Sequence, residues 1–359
     1  MRLPLLPCLL VPLFAHAAVA APAFELSSGP STIYLEQVND RQDLNFEIFI
    51  ANTSDVPLEI SAIQVSAYDA GGNLLQRRLI DGNGVRPSIQ TVPERKVAAH
   101  GQLTVFNPFA SFGKDLPLSR LEYQVTLASE DGKTAATRSL RVTPRAFKGK
   151  TALRLPLRGR VINYDGHDLQ AHHRRFDYSF APLAQMGFKS NFMRYSYDFV
   201  PVDANGETHR GDGSRNEDYA GFGSELLAAG DGVVAAVVND RPDDRQFDQR
   251  QIADNPMVLF GNYLVIDHGN GEFSVYGHLK HGSVRVKPGQ RLRQGEAVAQ
   301  VGASGSAMFP HLHYELQDGR DTSAEGLPSY FSGTRLVLGE RRLARELATV
   351  DTGEIVEAD

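Results

Sequence analysis

The chain has 359 residues, 42% of them hydrophobic and 22% charged, with eleven histidines, one cysteine and no tryptophan. That length suits two domains of roughly 100–200 residues each, and the ordinary apolar fraction is enough to bury real cores. A formal charge of −6 argues against phosphate-backbone binding, so no nucleic-acid partner is expected, and a single cysteine excludes an internal disulfide, a Cys-rich zinc site and an iron–sulfur cluster.

Residues 1–23 read MRLPLLPCLLVPLFAHAAVAAPA. Arg2 supplies a short positive end, Leu3 to Phe14 is apolar, and Ala18-Val19-Ala20 fits a small-residue cleavage site, the layout of a secretory signal peptide over 1–21. The apolar run is shorter than the ~20 residues a spanning helix needs. The expectation is an exported chain, periplasmic or extracellular, with no integral membrane segment after cleavage. Cys8 leaves with the signal, so the mature chain has no thiol.

Residues 22–148 alternate as strands do. Leu44, Phe46, Ile48 and Ile50 follow a period of two, the sign of a half-buried strand. Leu58, Ile60, Ile63 and Val65 make a second, less regular run, and Gly71-Gly72-Asn73 marks a turn. Leu103 and Val105 begin another strand. Leu121, Tyr123, Val125 and Leu127 alternate cleanly before Asp131-Gly132, a hairpin signal. Short strands with regular turns predict an immunoglobulin-like β-sandwich. It holds no histidine cluster and no paired carboxylates with a clear task, so it is expected to position the second domain or to contact protein partners.

Residues 141–160 carry seven Lys or Arg and no acid. Leu153, Leu155, Leu157 and Val161 interleave with them near strand spacing, which predicts a solvated face on the strand that opens a second domain at 149–335. Only His16 and His100 lie outside residues 167–313, so nine of the eleven histidines fall in that window. Histidine is the commonest metal ligand and acid–base residue.

Three segments organise them. Pro310-His311-Leu312-His313-Tyr314-Glu315 follows the small-residue turn Gly302-Ala303-Ser304-Gly305-Ser306-Ala307. In a strand, i and i+2 share a face, so His311 and His313 project together while Leu312 points away. Phe273-Ser274-Val275-Tyr276-Gly277-His278-Leu279 follows the turn at Asn270-Gly271, and strand alternation puts His278 with Ser274 and Tyr276. In Tyr195-Ser196-Tyr197-Asp198-Phe199-Val200 the aromatics share one face and Asp198 takes the other. An acid there caps a turn, pairs with a base or binds a metal.

With Gly221-Phe222-Gly223, Ala229-Gly230-Asp231-Gly232-Val233-Val234 and Gly261-Asn262-Tyr263 between them, these motifs in this order resemble the lysostaphin or LytM-type zinc metallopeptidases, family 23 of the metallo class, over roughly residues 190–318. The resemblance implies an antiparallel β-sheet peptidase domain acting on peptidoglycan peptides with Zn2+. Asp198 and His313 would be zinc ligands, and His278 and His311 would flank the bound water and scissile carbonyl as general base and transition-state stabiliser. The family's first ligand is a histidine four residues before the aspartate, and that position here is Arg194. His173 is expected to replace it from a loop, with His172 as the alternative, and Arg194 is expected to be a surface or substrate-contacting residue. The rival expectation is a non-catalytic LytM-type module that activates or positions other wall hydrolases.

Asp240 to Asp254 is expected to be a long solvated loop beside the substrate groove, and His209 and His281 are expected to be plain surface residues. Residues 336–359 are expected to form a tail with a helix-like Glu340–Leu347. The predicted class is mostly β throughout.

Overall fold

Strands carry nearly all the order. The computed structural model describes residues 23–169 and 171–358, so the segment expected as a signal peptide lies outside the described residues. The N-terminal part contains β1 (Phe24–Gly29), β2 (Glu47–Asn52), β3 (Leu58–Tyr68), β4 (Leu74–Asp81), β5 (Gln102–Phe106), β6 (Arg120–Ala128) and β7 (Ala135–Val142). One antiparallel sheet has the order β1-β2-β5, and a second has β7-β6-β3-β4. Ile48 and Ile50 of the first sheet share one buried cluster with Ile63, Val65, Tyr123 and Val125 of the second. The two sheets therefore face each other across a common core, as layered sheets do. The uneven spacing of Ile60 and Ile63 has a physical cause. The β3–β6 register slips by one residue, leaving Ser61 as the extra one, and both isoleucines stay buried.

The basic stretch then crosses to the second part, burying Leu153, Leu155, Leu157 and Val161 and leaving Lys148, Lys150, Arg154 and Arg158 exposed. From there come β8 (Gly159–Asp165), β9 (Tyr197–Pro201), β10 (Gly232–Val238), β11 (Tyr263–Asp267), β12 (Phe273–Gly277), β13 (Leu312–Gln317), β14 (Phe331–Leu338), β15 (Arg341–Ala348) and β16 (Ile355–Ala358). Across the sheet they run β14-β16-β8-β9-β13-β12-β11-β10, each neighbour antiparallel. One face buries Tyr197, Phe199, Tyr276, Leu312 and Tyr314 against Leu226, Val298 and Val301. The other face places Val265 and Val275 in a cluster with Phe188, Phe192, Met257 and Phe260. Asp198 and His313 lie on this second face.

Where a helix-like Glu340–Leu347 is expected, Glu340 lies in a turn and Arg341–Ala348 is a strand. Its residues favour helix singly, but β15 pairs with β14 from Leu338↔Arg341 to Phe331↔Ala348, and tertiary pairing overrides propensity. β14 itself crosses residue 335, and Leu336, Ala348 and Val356 are buried, so residues 336–358 continue the sheet. Among the described residues no helix is long and apolar enough to cross a membrane.

Candidate metal centre

Two neighbouring strands set the centre. β9 and β13 run antiparallel with Asp198 directly opposite His313, and opposed residues share a face. His311, two positions earlier, follows by the period of two. Asp198 Oδ1 lies 3.0 Å from His313 Nδ1 and 3.4 Å from His311 Nε2. Leu312 takes the core face, as expected.

His173 reaches the same carboxylate from outside the sheet. It opens the short 3-10 turn His173–Arg175, is 1% exposed, and holds Nε2 3.6 Å from Asp198 Oδ1. His172 is mostly exposed. Its Nδ1 bonds the Asp165 carboxylate, which also accepts the His172 backbone N–H, and its ring centroid is 4.1 Å from that of His173. Sequence reasoning missed Asp165. A bulge between Asn163 and Asp165 in β8 sets Asp165 opposite Asp198, and a bulge leaves no mark in an alternation pattern. Donor atoms of Asp165, His172, His173 and Asp198 lie within 4.8 Å of one another.

His278 joins the centre by a route opposite to the one expected. Gly277 is the residue opposite His313 on β12, so simple alternation carries His278 to the Tyr276 face, away from Asp198. Instead β12 ends at Gly277 and His278 takes φ +58. The left-handed turn swings its ring to 4.6 Å from His311 and 5.9 Å from His313, centroid to centroid. Gly277 has to be glycine, because a Cβ there would stand 2.9 Å from Phe260 Cδ1 and 3.3 Å from His313 Cβ.

Each of the four inner imidazoles has one nitrogen tied to an oxygen that only accepts. His173 Nδ1 donates to Gly166 O (3.1 Å), His278 Nδ1 to Ser304 O (2.8 Å), His311 Nδ1 to Phe309 O (2.8 Å) and His313 Nε2 to Glu315 Oε2 (3.0 Å). In a neutral ring the opposite nitrogen then presents a lone pair. Glu315 is in turn held by Ser196 Oγ at 2.7 Å and by Gln317. The period that links His311 and His313 continues to Glu315, a signal in the sequence that points to it.

Charge sorts these groups. Burial opposes the Asp198 anion, yet His173 and His311 hold its carboxyl well below the usual range. Burial pushes His173 down to about 3, against the pull of Asp198. His278 is also held well below the ordinary histidine value, by burial first and then by His311 and His313. For His313 burial works against the cation, but the bonds to Asp198 and Glu315 prevail and lift it to about 9. These residues line a cavity of about 450 Å³ whose walls include Tyr164, Phe176, Phe260 and Phe309. Leu259 and Phe260, from the end of the long β10–β11 connection, also line it. Within Asp240–Asp254, expected to be a solvated loop, only Ile252 is buried, whereas Met257 and Phe260 beyond it are buried.

Arg194 is not a surface or substrate-contacting residue. It is 0% exposed, with Nη1 paired to Glu47 of β2 and Nε 2.5 Å from Glu325 Oε1. Its carbonyl accepts from Asn45 Nδ2 at 2.7 Å. A buried guanidinium needs such partners, and they draw it to the seam between the two parts. His281 is exposed as expected, whereas His209 stacks on Tyr219 at 5.0 Å.

Residues 215–324 match the family model described as Peptidase family M23. The chain contains an M23 peptidase domain. The matched span holds His278, His311 and His313; His173 and Asp198 precede it. Among its relatives is the peptidoglycan DD-endopeptidase ShyC of Vibrio cholerae, 34% identical over 127 residues, 35% of this chain and 25% of the relative. Another is the cell division protein DipM of Caulobacter vibrioides, 32% identical over 111 residues, 30% of this chain and 15% of the relative. The chain thus spans a quarter or less of these curated relatives. A solved structure titled putative peptidase M23, from Pseudomonas aeruginosa, covers 75% of this chain and 92% of its own at 14% identity and a TM-score of 0.28.

Proposed function

We propose that the chain is an exported zinc metalloendopeptidase that hydrolyses peptide bonds of peptidoglycan stem peptides or cross-links. The observation that supports this most is the set of tethered imidazoles converging on the buried Asp198 carboxylate. His173 Nε2, Asp198 Oδ1 and His313 Nδ1 are the atoms that would hold zinc. Burial and the Gly166 tether favour His173 over the exposed His172. Nitrogen and carboxylate donors of this mix suit zinc, whose catalytic sites take three protein ligands and keep one position open.

Zinc held by these residues would acidify a water and polarise a peptide carbonyl. His278 and His311 do the proton work. A neutral Nε2 accepts a proton from the attacking water, then carries a hydrogen for the developing oxyanion or the leaving amine. The carbonyl tethers keep both rings in the tautomer this needs. The substrate class follows the names of the relatives, which include three Vibrio cholerae peptidoglycan DD-endopeptidases.

A second reading has support in one relative, the murein hydrolase activator EnvC of Escherichia coli, 34% identical over 74 residues, 19% of this chain and 17% of the relative. One experiment separates the two. The chain without residues 1–21 is purified, its zinc is measured by elemental analysis, and isolated peptidoglycan is digested and read by mass spectrometry. About one zinc per chain and new peptide ends, both lost in Asp198→Ala, are expected. A folded chain that holds no zinc and cuts nothing, yet stimulates a separate wall hydrolase, overturns the enzyme reading in favour of the activator.

A further inference from the structure

We infer that the N-terminal sheet β1-β2-β5 positions His173, through Arg174 and Thr104, so that docking of the two parts sets the metal affinity of the centre. The inference rests on the reading of His173 as a ligand.

The proposed ligands are held in unequal ways. Asp198 and His313 sit on β9 and β13, each flanked by a strand on both sides, so backbone ladders fix them within the peptidase sheet. His173 lies between β8 and β9, where the described elements are only the turn His173–Arg175 and the helix Ala181–Gln185. No ladder holds it.

His173 itself is held by Gly166 and Asn191, and the residues that follow it are held by the other part of the molecule. Arg174, 2% exposed, donates from Nη2 to Asn107 O at 3.2 Å. Asp177 Oδ1 accepts from Thr104 Oγ1 at 3.1 Å, and Ser179 Oγ lies 2.6 Å from the same hydroxyl. The Tyr178 ring meets Phe49 of β2 edge-on at 6.1 Å. The stretch from 174 to 179 is therefore laid along β2 and β5. Its anchor there is rigid. Asn107 is fully buried, its N–H donates to Phe46 O at 3.0 Å, and its Oδ1 accepts from Tyr123 Oη at 2.8 Å and from Phe109 N–H at 3.0 Å. Burial disfavours the Arg174 cation and lowers its pKa, and the charge of Glu47 on β2 offsets only part of that. From the peptidase side Asn191 Nδ2 donates to His173 O and Arg174 O, at 3.0 and 3.3 Å. The ring of His173, tied through Nδ1 to Gly166 O, rides on the backbone that these contacts set.

Partners that orient a ligand alter metal affinity by about 10–100-fold when lost. The test uses the full mature chain and zinc alone. Zinc dissociation constants are measured by competition with a chromophoric chelator at 25 °C, with thermal melts run beside them, for wild type, Arg174→Met, Thr104→Val and His173→Ala. Zinc affinity is expected to fall about 10–100-fold in Arg174→Met and by less in Thr104→Val, with His173→Ala the weakest. A purely structural role for Arg174 lowers the melting temperature and leaves the affinity of the folded chain alone. Wild-type affinity in folded Arg174→Met and Thr104→Val, with His173→Ala weakened, overturns the inference and leaves the proposed function standing. If Arg174→Met does not fold, Thr104→Val decides. No zinc in wild type, or no effect of His173→Ala, removes His173 as a ligand and the inference with it.

Discussion

His278 holds a backbone conformation that non-glycine residues seldom adopt, and it does so at the centre of the candidate site, with φ +58. The strain has a local purpose. Only by leaving the strand does the ring reach His311, while its Nδ1 is fixed on Ser304 O at 2.8 Å. Left-handed backbone costs a residue with a Cβ about 1–2 kcal/mol. Two variants separate strain from chemistry. His278→Ala and His278→Gly both remove the ring and should lower peptidoglycan cleavage by about 10²–10⁴-fold while zinc stays bound. His278→Gly should nonetheless be the more stable of the two by about 1 kcal/mol, read as the difference in denaturation midpoints. Equal stabilities would mean that the backbone is not strained there. Loss of zinc in either would make His278 a ligand.

At the scale of elements, the sequence was informative wherever side-chain period alone decides the geometry. The alternation from Leu121 to Leu127 gave a strand whose four apolar residues are fully buried, and His311 and His313 lie together on one side of β13. It was silent where geometry departs from that period. The bulge that brings in Asp165, the φ of His278 and the slip at Ser61 are each a one-residue irregularity. Arg341–Ala348 departs from its helix-favouring local pattern because pairing with β14 holds it as β15, a contact no local pattern records. His173 was reachable as a candidate because two adjacent histidines stood near a motif that lacked one, but the fold that carries it in was not. β13 offers a test of how far its one face acts as a unit. Glu315 accepts from His313 Nε2 and, with Asp198, raises the His313 pKa to about 9 against the effect of burial. Glu315→Gln removes that charge with little change of shape. NMR titration of the zinc-free chain should show the His313 pKa falling. An unmoved His313 would mean that Asp198 alone sets it.

Over the whole molecule, the two parts are joined by buried charge. Arg194, at the position where the resemblance expects a metal ligand, ties Glu47 to Glu325. Breaking a buried pair by removing one partner costs about 3–5 kcal/mol, so Arg194→Met should lower stability by that order in urea unfolding. A loss under 1 kcal/mol would show that the seam tolerates unpaired Glu47. A second contact across the seam responds to pH. His167 Nε2 lies 3.3 Å from Glu36 Oε2, both side chains almost wholly buried, between the rings of Tyr195 and Tyr197. Burial opposes the imidazolium, but Glu36 outweighs it, aided by Asp351 and Asp168, and the His167 pKa is raised. A histidine whose folded pKa exceeds its unfolded value of about 6.5 takes up protons on folding. Its contribution is thus complete below pH ~6.5 and is lost as pH rises through the folded pKa. His313 acts in the same direction in the zinc-free chain, so the pH trend of the wild type alone is ambiguous. The difference between wild type and Glu36→Gln isolates the pair. With chelator present, that stability difference should be largest near pH 6 and shrink steadily toward pH 9. A difference that does not change with pH would show that His167 is neutral in the folded chain and that Glu36 serves the seam only by packing.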